Sequence, residues 1–267
     1  MTIEPGHAPE ALRELAPPPL QPGISKFARW RWLSVLTKMN IQIPVLKSDA
    51  YFFDIDGTLL VSRDLVHWNA MHRAMLEVYG LDANLDGIPY HGKTDVAILR
   101  MALNRRGIPD PLFYEKLPQA LAVVRSDVSA NVKGFRPHVC PAIPKVLAEI
   151  RSFYKLIGVA SGNLESVGWN KLSAAGIRDF FTCGSFGDEF ELRTEIFDHA
   201  VSAAKSELGQ SASVCFVGDT PDDIQAARKV NAQVVAVATG IFPLAELATF
   251  NPDLCCRSCD EVLGRLQ

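Results

Sequence analysis

Four short apolar runs divide the chain, and each stops at small, polar or acidic residues. The runs span residues 50–53, 155–160, 213–217 and 233–238. Runs of this length are typical of strands that are buried on both faces of a sheet. Helical patterns separate them, at residues 142–153, 164–175, 193–208 and 221–230. This alternation predicts an α/β fold whose parallel sheet is covered by helices on both faces and binds ligands at the carboxyl ends of its strands.

One long interval, residues 67–140, interrupts this alternation. Its helical patterns lie at residues 67–79, 95–104 and 113–127. No convincing strand lies in the interval. We therefore expect an all-helical module inserted into an α/β core that residues 48–66 and 141–267 form together.

Residues 1–47 form an extension ahead of the first strand. Its first 25 residues are rich in proline and carry charged side chains without an apolar stretch, so a mobile tail is expected and a signal peptide is not. Apolar residues at helical spacing then follow among basic ones and predict an amphipathic helix: Phe27, Trp30, Leu33 and Leu36. Such a helix can contact a membrane surface or a partner, but packing on its own protein is the expected role. No apolar stretch is long enough to span a membrane.

Charge and composition narrow the class of partner. The 267 residues include 27 basic and 30 acidic side chains, for a formal charge of −3. Such a balance provides no general positive field for a polyanion, so a small ligand is expected and nucleic acid is not.

The six cysteines are not spaced as a disulfide framework, which favours a cytoplasmic protein. Cys256 and Cys259 form one C-x-x-C pair, but no second pair of zinc ligands accompanies them. We expect these two thiols to pack in a C-terminal helix.

Two groups of carboxylates follow predicted strands. Asp54 and Asp56 follow the first strand, directly ahead of a glycine and a threonine. The second group follows the strand at 213–217 and consists of Asp219, Asp222 and Asp223. Clustered carboxylates repel one another unless a cation compensates them, and hard oxygen ligands select Mg²⁺. We expect Asp222 to lie on the surface.

At these residues the chain resembles the haloacid dehalogenase superfamily. The first motif of that family matches FDIDGTLL at residues 53–60, the second matches SGN at 161–163, and the fourth matches GDTPDD at 218–223. The resemblance covers about residues 48–243, and residues 161–186 look like the phosphoglycolate phosphatase-like branch. It implies a Rossmann-like sheet core in which residues 67–140 are a helical cap of the first type.

The resemblance also implies roles for the carboxylates. Asp54 is the expected nucleophile, which forms an aspartyl phosphate, and Asp56 is the expected general acid and base. Mg²⁺ is the expected cofactor, held by Asp54, by the main-chain carbonyl of Asp56 and by Asp219. Asp223 is expected to hold the ion directly or to support its ligands.

Phosphate binding is expected at the second motif, where Ser161, Gly162 and Asn163 open a helix whose amides attract anions. Thr58 is a further candidate phosphate-binding residue. The third motif departs from the usual lysine–proline pattern, so Arg193 and Lys171 compete for the role of its cation.

Within the cap, Lys93 is the expected specificity residue, contacting a second anionic or hydroxyl group of the substrate. Its neighbours Thr94 and Asp95 are candidates for a helix N-cap. The scattered histidines are expected to be ordinary cap residues.

The leading hypothesis is a phosphatase acting on a small phosphorylated metabolite such as phosphoglycolate or a sugar phosphate. A phosphomutase of the β-phosphoglucomutase type shares the same core residues and stays open. Asp56 argues against a dehalogenase, because a halide needs no proton, and a phosphonoacetaldehyde hydrolase needs a cap lysine such as Lys93. A catalytically silent binding protein also stays open. The expected state is a monomer or a homodimer.

Overall fold

A six-stranded parallel sheet forms the centre of the protein in a computed structural model that describes residues 46–81 and 83–267. The strands are β1 (Ala50–Phe53), β4 (Leu156–Ala160), β5 (Cys183–Ser185), β6 (Val214–Gly218), β7 (Gln233–Val237) and β8 (Leu254–Cys256). They lie in the order β5-β4-β1-β6-β7-β8. Every neighbouring pair is parallel, as the alternation of strands and helices predicts.

Helices cover both faces of this sheet. They are α4 (Ile143–Ser152), α5 (Glu165–Ala174), α6 (Arg193–Leu208), α7 (Pro221–Lys229) and α8 (Leu244–Ala248). Alternate residues of β1 serve the two faces, because successive side chains of a strand point in opposite directions. Tyr51 and Phe53 pack in the cluster that includes α4, whereas Phe52 packs with α6 and α7. The expected α/β fold is thereby confirmed.

Three helices lie between the first strand and the rest of the sheet: α1 (Val66–Tyr79), α2 (Asp95–Arg105) and α3 (Asp110–Ala130). They share an apolar cluster of their own, in which Met75, Leu99 and Phe113 are fully buried. Leu164 and Val167 at the start of α5 join this cluster and pack the cap against the core.

The two connections to the cap pair with each other, which the pattern did not predict. Strand β2 (Leu60–Ser62) and strand β3 (Pro137–Val139) form an antiparallel pair. The expectation that residues 67–140 contain no strand is therefore wrong. Each strand has only three residues and one begins with proline, so neither shows the alternating pattern of a longer strand.

The C-terminal region also differs from expectation. Residues 233–238 are not the last strand, because β8 follows, and Cys256 lies in β8 while Cys259 opens a short 3-10 helix, Cys259–Glu261. The expected C-terminal helix around this pair is wrong. All six cysteines are free thiols.

The expected extension lies outside the described residues as far as residue 45. Leu46 already belongs to the core, since its amide donates to the carbonyl of Arg265 over 2.7 Å. The core therefore begins at least two residues ahead of the expected boundary at residue 48. Among the residues that the structure describes, no helix is both long and apolar enough to cross a membrane.

Candidate active site

The candidate site lies where three neighbouring strands end. Strands β4, β1 and β6 are adjacent and parallel, so the residues that follow them meet at one edge of the sheet. Ser161 follows β4, Asp54 follows β1 and Asp219 follows β6. All three line a cavity of about 470 Å³, together with Asp56 and residues of the cap.

Three buried carboxylates lie close together, and one guanidinium pairs with two of them. Oxygen atoms of Asp54, Asp219 and Asp223 lie within 4.8 Å of one another. Arg193, the first residue of α6, places its Nη2 2.7 Å from Oδ1 of Asp54 and 2.5 Å from Oδ1 of Asp223. Arg193 thus joins the candidate nucleophile, Asp54, to Asp223 of the fourth motif.

The site holds more negative charge than its own residues compensate. Burial raises the pKa of the Asp54 carboxyl to about 6, with the charges of Asp223 and Asp56 acting in the same direction against Arg193. Burial also raises the pKa of Asp219 well above its ordinary value, and the charges of Asp54 and Asp223 reinforce the effect. A cation bound between these oxygens would relieve both effects.

The chemistry of the donor set fits a divalent cation. Buried carboxylate oxygens are the hard donors that Mg²⁺ prefers. The single positive charge of Arg193 does not balance the negative charges of the three carboxylates. Asp219 is closely surrounded: a Cβ on Gly57, whose φ is +89°, would lie 2.3 Å from its Oδ2, and a Cβ on Gly240 would lie 1.8 Å away. Glycine is therefore required at both positions.

Thr58 and Asp223 support this arrangement from within the protein. Thr58 is fully buried, and its hydroxyl donates to Asp219 Oδ1 over 3.1 Å rather than lining the cavity. Asp223 Oδ2 accepts from the amide and hydroxyl of Thr220, which caps α7, while its Oδ1 faces Arg193. Asp223 is thus hydrogen-bonded through Oδ2, whereas its buried Oδ1 has only the ion pair with Arg193.

Asp56 belongs to a second polar cluster. Its Oδ2 accepts from Lys171 Nζ over 2.6 Å and from Asn163 Nδ2 over 2.8 Å. Asn163 Nδ2 also lies 2.8 Å from Ser161 Oγ, and Lys171 Nζ donates to Asn163 Oδ1 over 2.9 Å. Burial acts to raise the pKa of Asp56, but the charge and hydrogen bond of Lys171 outweigh it, so that the pKa lies below its usual value.

The two competing cations therefore both lie in the site, with different partners. Arg193 pairs with Asp54, and Lys171 pairs with Asp56. The Lys171 side chain is almost completely buried, whereas the Asp56 side chain is 44% exposed towards the cavity. Lys171 thus holds Asp56 from the protein side and leaves its other side open.

The cap loop that precedes α2 docks on the core. Asp95 Oδ2 accepts from the amide of Leu164 over 2.8 Å, and the amide of Asp95 donates to the carbonyl of Gly162 over 2.8 Å. A Cβ on Gly162 would lie 2.3 Å from the carbonyl oxygen of Lys93, so this approach needs glycine. Thr94 is the N-cap of α2 and accepts from the amide of Ala97.

The Lys93 side chain extends from the cap to the core domain. Its ammonium forms an ion pair with Asp222, which is half-buried at the start of α7. The expectation that Asp222 lies on the surface is wrong, because the cap loop covers it. The burial of Asp222 depends on tertiary packing, which the sequence pattern of α7 alone does not show.

Several cavity residues of the cap carry no sequence signal. His67, Trp68, Tyr90 and His91 all line the cavity. His67 Nε2 lies 3.0 Å from Asp95 Oδ2, so it supports the docked cap loop. A histidine or tryptophan in an amphipathic helix looks the same whether it faces an apolar core or a ligand, so only the structure distinguishes the two.

Comparisons with known proteins identify the family of the chain. The chain matches the haloacid dehalogenase-like hydrolase family over residues 48–231. It is 27% identical over 208 residues to a protein named phosphoglycolate phosphatase from Synechococcus elongatus, covering 76% of this chain and 90% of that protein.

Two solved structures share the fold. CbbY from Rhodobacter sphaeroides aligns with a TM-score of 0.61 at 17% identity and covers 81% of this chain and 96% of its own. β-Phosphoglucomutase from Clostridium difficile aligns with a TM-score of 0.59 at 16% identity and covers 81% of this chain and 94% of its own.

The matches confirm the expected fold and the expected enzyme, a hydrolase of the phosphatase type. The family match spans more than half of the chain and includes the strand-end motifs at Asp54, Ser161 and Asp219. The chain therefore belongs to the haloacid dehalogenase-like hydrolase family.

Proposed function

We propose that this hydrolase is a Mg²⁺-dependent phosphatase that cleaves a small phosphate monoester through an aspartyl-phosphate intermediate. The observation that supports it best is the placement of Asp54. This carboxylate is buried at the end of β1, pairs with Arg193 and lies beside a second carboxylate, Asp56, that is open to the cavity. A nucleophile next to a fixed cation and a separate acid–base group is what a two-step displacement at phosphorus requires.

In the first step, an oxygen of Asp54 attacks phosphorus and the bond to the leaving alcohol oxygen breaks. Asp56 takes up a proton when the anionic phosphate binds, because a neighbouring negative charge raises the pKa of a carboxyl, and donates it to that oxygen as it leaves. In the second step, a water attacks phosphorus while Asp56 takes its proton, and the bond between phosphorus and Asp54 breaks. The products are the alcohol, inorganic phosphate and the free Asp54 carboxylate.

The other residues of the site position these groups. Arg193 stabilises the charge on the transferring phosphoryl group from its place beside Asp54. Lys171 and Asn163 orient Asp56 through hydrogen bonds of 2.6 and 2.8 Å. Ser161 and the amides of Gly162 and Asn163 bind phosphate oxygens at the entry to α5.

Mg²⁺ would be held by Asp54, by the main-chain carbonyl of Asp56 and by Asp219. When bound, it would supply charge neutralisation between the nucleophile and the anionic phosphate. Thr58 orients Asp219 through its hydroxyl, and Asp223 orients Arg193. We assign these two residues to positioning rather than to contact with the substrate.

Release of phosphate from one simple acyl phosphate and one simple ester tests the proposal. Purified protein with Mg²⁺ should release inorganic phosphate from acetyl phosphate and p-nitrophenyl phosphate, and excess EDTA should abolish the release. Undiminished release in EDTA would contradict the metal dependence. No release from either compound, or from a broad panel of phosphorylated metabolites, would contradict the phosphatase and favour a silent binding protein.

The same panel, supplemented with a sugar bisphosphate, distinguishes a phosphatase from a phosphomutase. A phosphomutase would interconvert sugar phosphates in the presence of a sugar bisphosphate without net release of phosphate. We expect net release. A cytoplasmic location and a monomeric or homodimeric state stay predictions.

A further inference from the structure

We propose that the alcohol part of the substrate is uncharged and carries a planar ring, so that neither a carboxylate nor a second phosphate accompanies the scissile phosphate. The inference rests on the proposed phosphatase function and names the substrate class of that site. It depends on which side chains of the cap and the core line the cavity.

The cap contributes mostly aromatic and apolar side chains to the cavity: Trp68, Met71, Leu85, Tyr90, His91 and Ile98. The ring centroids of Trp68 and Tyr90 lie 5.7 Å apart in an edge-to-face arrangement, and those of Tyr90 and His91 lie 4.2 Å apart. These three rings form one continuous aromatic surface. Planar rings pack favourably on such a surface, beyond the apolar area that they bury.

The cations of the cavity are already paired. Among the described residues that line it, the lysines and arginines and their carboxylate partners are Lys93 with Asp222, Lys171 with Asp56, and Arg193 with Asp54. Arg193 is the one of them assigned to the transferring phosphoryl group. No lysine or arginine of this described lining is left to pair with a second anionic group of the substrate.

The histidines do not supply that charge either. His67 is engaged by Asp95. Burial lowers the pKa of His91 against the opposing charge of Asp56, so its ring is neutral near pH 7. A second anion would therefore enter a cavity whose lining also includes the carboxylates of Asp64 and Asp95, and leaving it unpaired there is unfavourable.

The cavity is also wide, and several apolar side chains lie at its exposed rim. Val61, Tyr90 and Ile241 line it and are 38%, 40% and 60% exposed. Its volume of about 470 Å³ lies within the range of pockets that enclose ligands of the size of a drug molecule. A ring-bearing alcohol uses this space and this surface, whereas a two-carbon acid leaves both unused.

Three esters with alkyl leaving groups test the inference without a large difference in leaving-group chemistry. They are ethyl phosphate, benzyl phosphate and 2-phosphoglycolate. We expect kcat/KM for benzyl phosphate to exceed that for ethyl phosphate by about tenfold or more, the scale of discrimination that apolar pockets achieve. We expect 2-phosphoglycolate to react no faster than ethyl phosphate. A preference for 2-phosphoglycolate over benzyl phosphate would overturn the inference.

A pair of variants on one helix tests the aromatic surface itself. Trp68→Ala should lower the benzyl-to-ethyl ratio of kcat/KM about tenfold, mainly by raising KM for the benzyl ester. Leu76→Ala is the matched control, because Leu76 lies on α1, is 53% exposed and does not line the cavity. It should leave the ratio unchanged. Tyr90→Ala repeats the test from the loop if Trp68→Ala does not fold. An unchanged ratio in a folded Trp68 or Tyr90 variant would overturn the inference.

Failure of the inference and failure of the proposed function are distinguishable. If the enzyme hydrolyses acetyl phosphate and prefers the anionic ester, the phosphatase stands and the substrate class is wrong. If it releases phosphate from none of these compounds, the phosphatase itself is wrong.

Discussion

Lys171 Nζ lies 2.6 Å from Oδ2 of Asp56, which links the buried side of α5 to the loop that follows β1. The lysine is buried, and the aspartate faces the cavity. Asn163 bonds to both side chains, so the three groups have a fixed relative position. Asp56 is thereby held in one orientation by groups of the protein itself.

Replacement of this lysine should impair catalysis more than folding. We expect Lys171→Met to lower kcat by about a hundredfold, the low end of what general acid–base catalysis contributes, because Asp56 loses its orientation. The exposed Asp56 carboxylate stays hydrated, so the fold should be retained. The control is Lys145→Met, at an exposed position of α4, which should keep wild-type turnover. Equal turnover of the two variants would contradict the role of Lys171.

Asp54→Asn should abolish turnover while the protein stays folded. The amide preserves the volume but cannot attack phosphorus, and Arg193 keeps its second partner, Asp223. Steady-state phosphate release and thermal denaturation check the two halves of the prediction. Asp198→Asn, the same change at an exposed position of α6, should be active. More than about a hundredth of wild-type activity in Asp54→Asn would reject it as the nucleophile.

Asp219→Asn should separate metal binding from folding. Mg²⁺ at a hundred times its Kd should stabilise the wild-type protein by about 2.7 kcal/mol, and the variant should lose most of that gain. In EDTA the variant should melt no lower than wild type, because it removes a buried carboxylate that lies near Asp54 and Asp223. Melting temperatures with and without Mg²⁺ measure both effects. A variant with the full Mg²⁺ shift would show that Asp219 is not a ligand.

Gly162→Ala should displace the cap loop. The added Cβ would lie 2.3 Å from the carbonyl oxygen of Lys93 and 2.9 Å from Cα of Thr94. The hydrogen bond from the Asp95 amide to Gly162 should weaken, so that amide should exchange hydrogen faster than in wild type. We expect kcat/KM to fall by about a hundredfold, the effect of an ångström-scale misplacement. Unchanged exchange at Asp95 would mean that the loop tolerates the methyl group.

The raised pKa of Tyr51 predicts how the stability of the protein changes in alkali. Burial, reinforced by Cys215, raises the pKa of Tyr51 from 10.0 to about 12. The folded state therefore keeps the phenol protonated where the unfolded state releases the proton. The contribution of the protonated Tyr51 phenol to the free energy of unfolding is therefore complete below pH 10. It is lost between pH 10 and pH 12, by about 1.4 kcal/mol for each pH unit.

Tyr51→Phe isolates this effect. The phenol contacts Leu46, Ser48 and Gln267 through hydrogen bonds of 2.9 to 3.2 Å. The main-chain groups of these residues keep hydrogen bonds to one another, so the loss should cost about 0.5–1.5 kcal/mol at pH 7. The difference between the two proteins, measured by denaturant unfolding, should shrink from pH 10 to pH 12. A constant difference across that interval would contradict the raised pKa.

Local patterns in the sequence were sufficient for the main elements of the fold. Buried strands form continuous apolar runs and amphipathic helices have a period, and both end at recognisable residues, so β1 and α6 lie at the predicted residues. The strand-end motifs then indicated Asp54, Asp56 and Asp219, because parallel strands bring their carboxyl ends to one edge. Short strands such as β2, β5 and β8 were not predicted, because three residues are too few to form a recognisable apolar run or alternation.

Which side chains meet across the chain was decided only by the tertiary structure. The sequence left Arg193 and Lys171 as rivals, whereas packing of α5 and α6 on opposite faces of the sheet gives each its own aspartate. Asp222 is covered only because a cap loop more than a hundred residues earlier docks on it through Lys93. Charge pairing and exposure depend on distances between distant segments, and no local pattern encodes those distances.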